Sequence, residues 1–185
     1  MDEREILALL EARSEAALEQ ITARYGPLCR QIVREILGSE EDAEECWNDA
    51  LLQLWNSVPP AKPLSLSAYL CKIVRNDALG RLRSVHAQKR GGKNYILALD
   101  ELHECLPARN STEELVDALA LRQAIEAFLW SLPLRDREAF IQRYFYVRPV
   151  AEIARAQGRS RIAVSAGLSR TRRKLKDHLT KEGSL

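Results

Sequence analysis

Seven lysines and arginines crowd residues 72–93 (Lys72, Arg75, Arg81, Arg83, Lys89, Arg90, Lys93) against one acid, Asp77. A second basic block, residues 135–185, sets 13 Lys/Arg against 5 Asp/Glu. The first 50 residues invert the balance, with 13 Asp/Glu against 5 Lys/Arg. Two basic blocks suit a polyanion, and an acidic front suits a basic protein partner. Charges that merely solvate helix faces are the bland alternative. Asn76 lies among the cations; its amide can read a base edge or bond within its own helix. Other chemistries find little here. There is no Gly-rich phosphate loop and no Ser/His/Asp set that helices would bring together. Cys29, Cys46, Cys71 and Cys105 form no C-x-x-C pair and read as buried thiols, with a His103–Cys105 metal pair as the weaker option. The chain reads as a non-enzyme without a cofactor or metal.

These residues need elements to position them. The chain has 185 residues, 46% of them hydrophobic and 29% charged, which excludes wholesale disorder. No apolar run approaches the roughly 18 residues of a membrane span, and Met1-Asp2-Glu3-Arg4-Glu5 is too acidic for a signal peptide. A cytoplasmic protein with no membrane insertion is expected. Glycine and proline are few and strand-like alternation is scarce, so the class is all-α.

Ile6, Leu9 and Leu10 space a first helix. Ser14 caps a second, and Pro27 opens a third carrying Leu28, Ile32, Val33 and Ile36 up to Gly38. Ser39 caps a fourth, with Glu40, Glu41 and Asp42 in its first turn and Ala43, Cys46, Ala50, Leu51 and Leu54 inside. Trp47 and Trp55 are core or partner-facing. After Val58-Pro59-Pro60-Ala61-Lys62-Pro63 a fifth helix spans about 65–84; Leu66, Tyr69, Leu70, Ile73 and Val74 face inward and Lys72, Arg75, Asn76 and Arg83 outward. Gly91-Gly92 and Pro107 mark a flexible linker, with Ile96, Leu97 and Leu99 as a docking point. Ser111-Thr112-Glu113-Glu114 then opens a helix with Leu115, Leu119, Ile125 and Leu129.

The last third reads as helix, short helix, turn, helix. Ala139, Phe140 and Tyr144 face inward from a helix over 135–146, and Pro149 opens a short one with Val150, Ile153 and Ala154. Gln157-Gly158-Arg159 turns the chain and Ser160 caps the final helix. Val164, Leu168, Thr171, Leu175 and Leu179 form its buried stripe. Arg161, Arg170, Arg172, Arg173, Lys174 and Lys176 load its other faces. This is a helix-turn-helix pattern, with an ordinary basic three-helix bundle as the alternative. His86 and His178 read as exposed and without a role.

Assembled in this order, the motifs resemble the extracytoplasmic-function class of bacterial RNA polymerase sigma factors over nearly the whole chain. Asp42 to Trp55 is similar to the family's DAEDLVQEVFLRAW helix, and Leu66 to Arg83 to its FRAWLYRIARNLALDRLR helix. Leu132-Pro133 through Arg143-Tyr144, then Glu152-Ile153-Ala154 and Leu168-Ser169-Arg170, fit its C-terminal domain. The resemblance implies two small helical domains: residues 1–86 for core polymerase binding, −10 recognition and melting, a linker over 87–110, and residues 111–185 for −35 recognition. It implies core RNA polymerase (its clamp helices and flap region) and promoter DNA as partners, allows for an anti-sigma factor, and suits a monomer when free. A stand-alone helix-turn-helix regulator with an N-terminal sensor or dimerisation bundle is the competing function.

Carried over by position, Asp42, Glu45, Asp49 and Gln53 would bind the polymerase clamp. Lys72, Arg75, Arg81 and Arg83 would hold phosphates near −10, and Asn76 would read a base. The loop 57–64 would capture a flipped base. Arg159, Ser160, Arg161, Ser165, Arg170, Arg172, Arg173 and Lys174 would serve the −35 contact. Three departures stand out. Ala163-Val164-Ser165-Ala166-Gly167-Leu168 replaces TVKSRL, losing a Lys and an Arg expected to face DNA. Val147-Arg148-Pro149 stands where the family tends to Gly, Leu and Ser, and Gly80 where Asp is usual.

Overall fold

The computed structural model describes residues 2–88, 98, 101, 102 and 114–181. Among them every regular element is helical, and no helix is long and apolar enough to cross a membrane. The chain divides into two units, Met1–Gly91 and Gly92–Leu185.

The first unit holds α1 (Glu3–Glu11), α2 (Ala16–Leu37), α3 (Glu40–Ser57) and α4 (Leu66–Gln88). Asp2 and Glu5 close a reciprocal capping box on α1: the Glu5 N–H donates to Asp2 at 2.8 Å and the Asp2 N–H to Glu5 at 2.6 Å. The second and third helices expected from sequence are one. Pro27 lies inside α2, and Ser14 does not cap it: α2 begins after Glu15 with no side-chain cap. Proline removes one helical donor and costs stability in isolation, but packing outweighs it. Ile21, Tyr25, Cys29, Ile32 and Ile36 run unbroken across Pro27 and are all buried. The same period turns Leu28 outward, 48% exposed, so Cys29 takes its expected place in the core.

Ser39 caps α3 as expected, accepting the Asp42 N–H at 3.2 Å. Trp47 is core, whereas Leu51 and Trp55 are half-buried. α2, α3 and α4 pack together around Cys29, Val33, Trp47, Leu54, Leu70 and Val74, with α1 laid on α2. Cys29 and Cys46 are buried and Cys71 half-buried. A hydrogen bond shared by the Cys29 and Cys71 thiols, together with burial, pushes Cys29 up. Burial, then Asp77, pushes Cys46 up to about 12.

The second unit holds α5 (Glu114–Ser131), α6 (Leu134–Tyr144), α7 (Val150–Ala156) and α8 (Arg161–Lys181). α5, α6 and α7 each pack on α8. α8 buries Val164, Leu168, Thr171, Leu175 and Leu179, the stripe read from sequence. Against it lie Phe128 and Leu132, then Phe140, Tyr144 and Ile153. In α5, Phe128 is buried while Ile125 and Leu129 are half-buried; the side chains of Leu115 and Leu119 lie outside what is described. His178 is not exposed and idle: its Nε2 lies 3.1 Å from the Ala124 carbonyl and its ring 5.7 Å from that of Phe128. The side chain of His86, the residues His103 and Cys105, the docking trio Ile96, Leu97 and Leu99, and the capping sequence Ser111-Thr112-Glu113 lie outside what is described.

Candidate nucleic-acid interface

On α4, Lys72, Asn76 and Arg83 are exposed and Arg75 is half-buried. Arg83 donates from Nε to the Leu79 carbonyl at 3.2 Å. Arg81 is placed differently from its neighbours. Its guanidinium meets Glu45 at 2.8 Å, Asp49 at 2.5 Å and Asp77 at 3.1 Å. Glu45 foremost holds it protonated. Two residues expected to face a protein and one expected to face phosphate thus form one ion cluster joining α3 to α4. Asp42 is half-buried at the cap, and Gln53 is exposed. Gly80, at the position usually Asp, has open space around it.

Between α2 and α3, Leu18, Leu51, Leu52 and Trp55, with Glu15 and Glu19, line a groove of about 510 Å³. Leu52 is 60% exposed. An apolar floor with an acidic rim suits a basic amphipathic partner surface. Arg13, in the left-handed region at φ +56°, donates to the Trp55 carbonyl and stacks on its ring at 5.4 Å. The loop after α3 runs through Val58, which is buried, to the exposed Pro59 and Pro60.

In the second unit α7, the turn and α8 form the helix-turn-helix. Gly158 turns the chain at φ +62°, a conformation glycine adopts without strain. Ser160 Oγ accepts the Ala163 N–H at 3.1 Å and caps α8. Arg161, Ser165, Arg170, Arg173 and Lys174 are exposed on α8, as is Ser160 before it. Arg159 and Arg172 are half-buried. Arg159 donates to Gln157 at 3.3 Å and to the Ala163 carbonyl at 3.4 Å, and lies 3.8 Å from Asp136.

Arg172 donates to Glu101 at 3.1 Å and to the Tyr144 hydroxyl at 2.5 Å. Arg143, 3% exposed, donates to the same Glu101 at 3.1 Å and to the Arg148 carbonyl at 3.3 Å. Tyr144 completes the set with a 2.9 Å bond to Glu101. Burial alone would raise the Glu101 carboxyl, but bonds from Arg143 and Tyr144 and the Arg172 charge hold it below its ordinary value. Burial pushes Tyr144 up to about 12. No sequence signal marked Glu101; it falls in the stretch expected to link the domains.

The Gly167 departure acquires a different meaning. Gly167 is buried, and a Cβ there would lie 3.7 Å from Arg159 and 3.9 Å from Asp136. A side chain at 167 would start toward the half-exposed pair of Arg159 and Asp136. The lost cation at 165 is on the exposed face. Val147 is buried and held at φ +58°, where a β-branched residue is strained and the family's glycine would not be. Further round, Trp130 is 70% exposed with Arg137 stacked on its ring at 4.4 Å. Among the described residues no group of three His, Cys, Asp or Glu could hold a metal ion.

Comparison with known proteins adds two regions in order. Residues 21–88 match the family model of sigma-70 region 2, and residues 122–175 that of sigma-70 region 4. The ECF RNA polymerase sigma factor SigE of Mycolicibacterium smegmatis is 23% identical over 167 residues, 90% of this chain. The match spans 63% of that relative's own length.

Proposed function

We propose a role in transcription initiation from one premise: the chain belongs to the sigma-70 family, as an extracytoplasmic-function RNA polymerase sigma factor. In this reading it is a non-catalytic subunit that binds core RNA polymerase and directs it to promoters. The observation that carries it is the pairing of the two matched regions with two separate helical units. The α3 face and its apolar groove would meet the polymerase clamp, or an anti-sigma factor in competition with it. α4 would hold the −10 region through Lys72, Arg75 and Arg83, with Asn76 reading a base and the loop 57–64 taking a flipped one. The second unit would meet the flap region and place α8 in the major groove at −35.

The test mixes the full chain with bacterial core RNA polymerase and assays co-elution and transcription from a genomic fragment library. Co-elution with new start sites is expected. Tight duplex binding without polymerase association would transfer the function to a stand-alone regulator. Variants must avoid the Arg81 cluster, because Glu45 and Asp49 fix α4. Lys72→Ala with Asn76→Ala should abolish promoter opening and keep co-elution, whereas Asp42→Ala with Gln53→Ala should weaken co-elution.

A further inference from the structure

The exposed face of α8 is built around apolar atoms. Ile162, 82% exposed, stands opposite the buried stripe of Val164, Leu168 and Thr171. Ala166 follows one turn later and is exposed too. Ser165 stands beside them where the family carries Lys, so the centre of this face bears no charge. Its margins do: Arg161, Arg170 and Arg173 are exposed around it. A lone exposed isoleucine means little. This one lies in the first turn of the second helix of a helix-turn-helix, the part that meets base edges when such a helix enters the major groove. In that groove thymine is the base that presents a methyl group, and apolar side chains recognise it.

We propose that Ile162, backed by Ala166, is a specificity-determining residue that reads a thymine methyl in duplex DNA, while Arg161, Arg170 and Arg173 hold the flanking phosphates. The inference rests on the second unit's assignment to upstream promoter DNA. It predicts an element with at least one required T·A pair, read by packing rather than by the bidentate hydrogen bonds of a cation.

The full chain, assembled with core RNA polymerase, selects duplexes from a library randomised upstream. Each thymine of the selected element is then replaced by deoxyuridine, which removes only the methyl. At one position the unaltered chain should lose about four-fold in affinity, the size of one buried methyl. Ile162→Ala should be indifferent to that replacement, and Ile162→Val should keep the sensitivity. Selective binding that no deoxyuridine weakens, or equal sensitivity in Ile162→Ala, overturns the inference alone. Failure to select any upstream element overturns the unit's assignment and the inference with it.

Discussion

Arg81 in the first unit and Glu101 in the second are opposite solutions to one problem. Arg81 is a cation met by the carboxylates of Glu45, Asp49 and Asp77, with 24% of its side chain exposed and its acids more open still, up to 66%. Glu101 is a carboxylate met by Arg143, Arg172 and the Tyr144 hydroxyl, and Arg143 is almost wholly buried. The exposed cluster joins two helices that partners are expected to touch. The buried one ties a residue between the two matched regions onto the helix-turn-helix. The first cluster has three ion pairs to acids open to water and the second has two, one of them to the nearly buried Arg143, so water screens the first more.

Removing the centre of each cluster separates them most sharply. Glu101→Gln leaves the buried Arg143 charge unmatched and should destabilise the second unit by about 3 kcal/mol in urea unfolding. The pH dependence has a definite sign. Glu101 titrates lower in the folded state than in the unfolded chain, so its contribution is present above the ordinary carboxylate range. That contribution is lost as the pH falls through the folded value. Stability of the second unit should fall on acidification, and Glu101→Gln should flatten that part of the profile; an unchanged profile would assign the effect elsewhere.

Arg81→Met should cost the first unit only about 1 kcal/mol, and half-molar salt should shrink the difference. A loss as large as that of Glu101→Gln would erase the contrast. The smallest changes probe glycine. Gly80 meets open space, and a Cβ at Gly167 meets only ordinary contacts, so alanine at either should raise stability by about 0.5–1 kcal/mol. A Gly167→Ala protein that is destabilised would show that Arg159 needs that space.

Local signals in the sequence were legible because they act within a few residues. Ser39 and Ser160 cap the helices they precede, and Val164 to Leu179 keep one face by helical period alone. Pro27 misled for the same reason: it is a strong local signal overruled by burial of Tyr25 and Cys29 on either side. Glu101 was invisible because Arg143 and Arg172 lie 42 and 71 residues away. Arg81 looked like its outward neighbours on α4, yet Asp49 lies 32 residues back on a different helix. Gly167 reads as a lost cation in the sequence, and its neighbours Arg159 and Asp136 lie eight and 31 residues back, out of reach of a local signal. Ile162 stood outside the buried stripe and left no charge to notice.

The placement of the tryptophans has an optical consequence. Trp47 is 1% exposed, Trp55 half-buried, and Trp130, the one tryptophan of the second unit, 70% exposed. Indole emission shifts to the red in water, and a dissolved quencher reaches an open ring first. The reddest and most readily quenched part of the protein's own fluorescence therefore comes from Trp130, with Trp55 between it and Trp47. A partner settling beside Arg137 would announce itself as a blue shift and as protection from the quencher, without a label, while Trp47 stays dark to both.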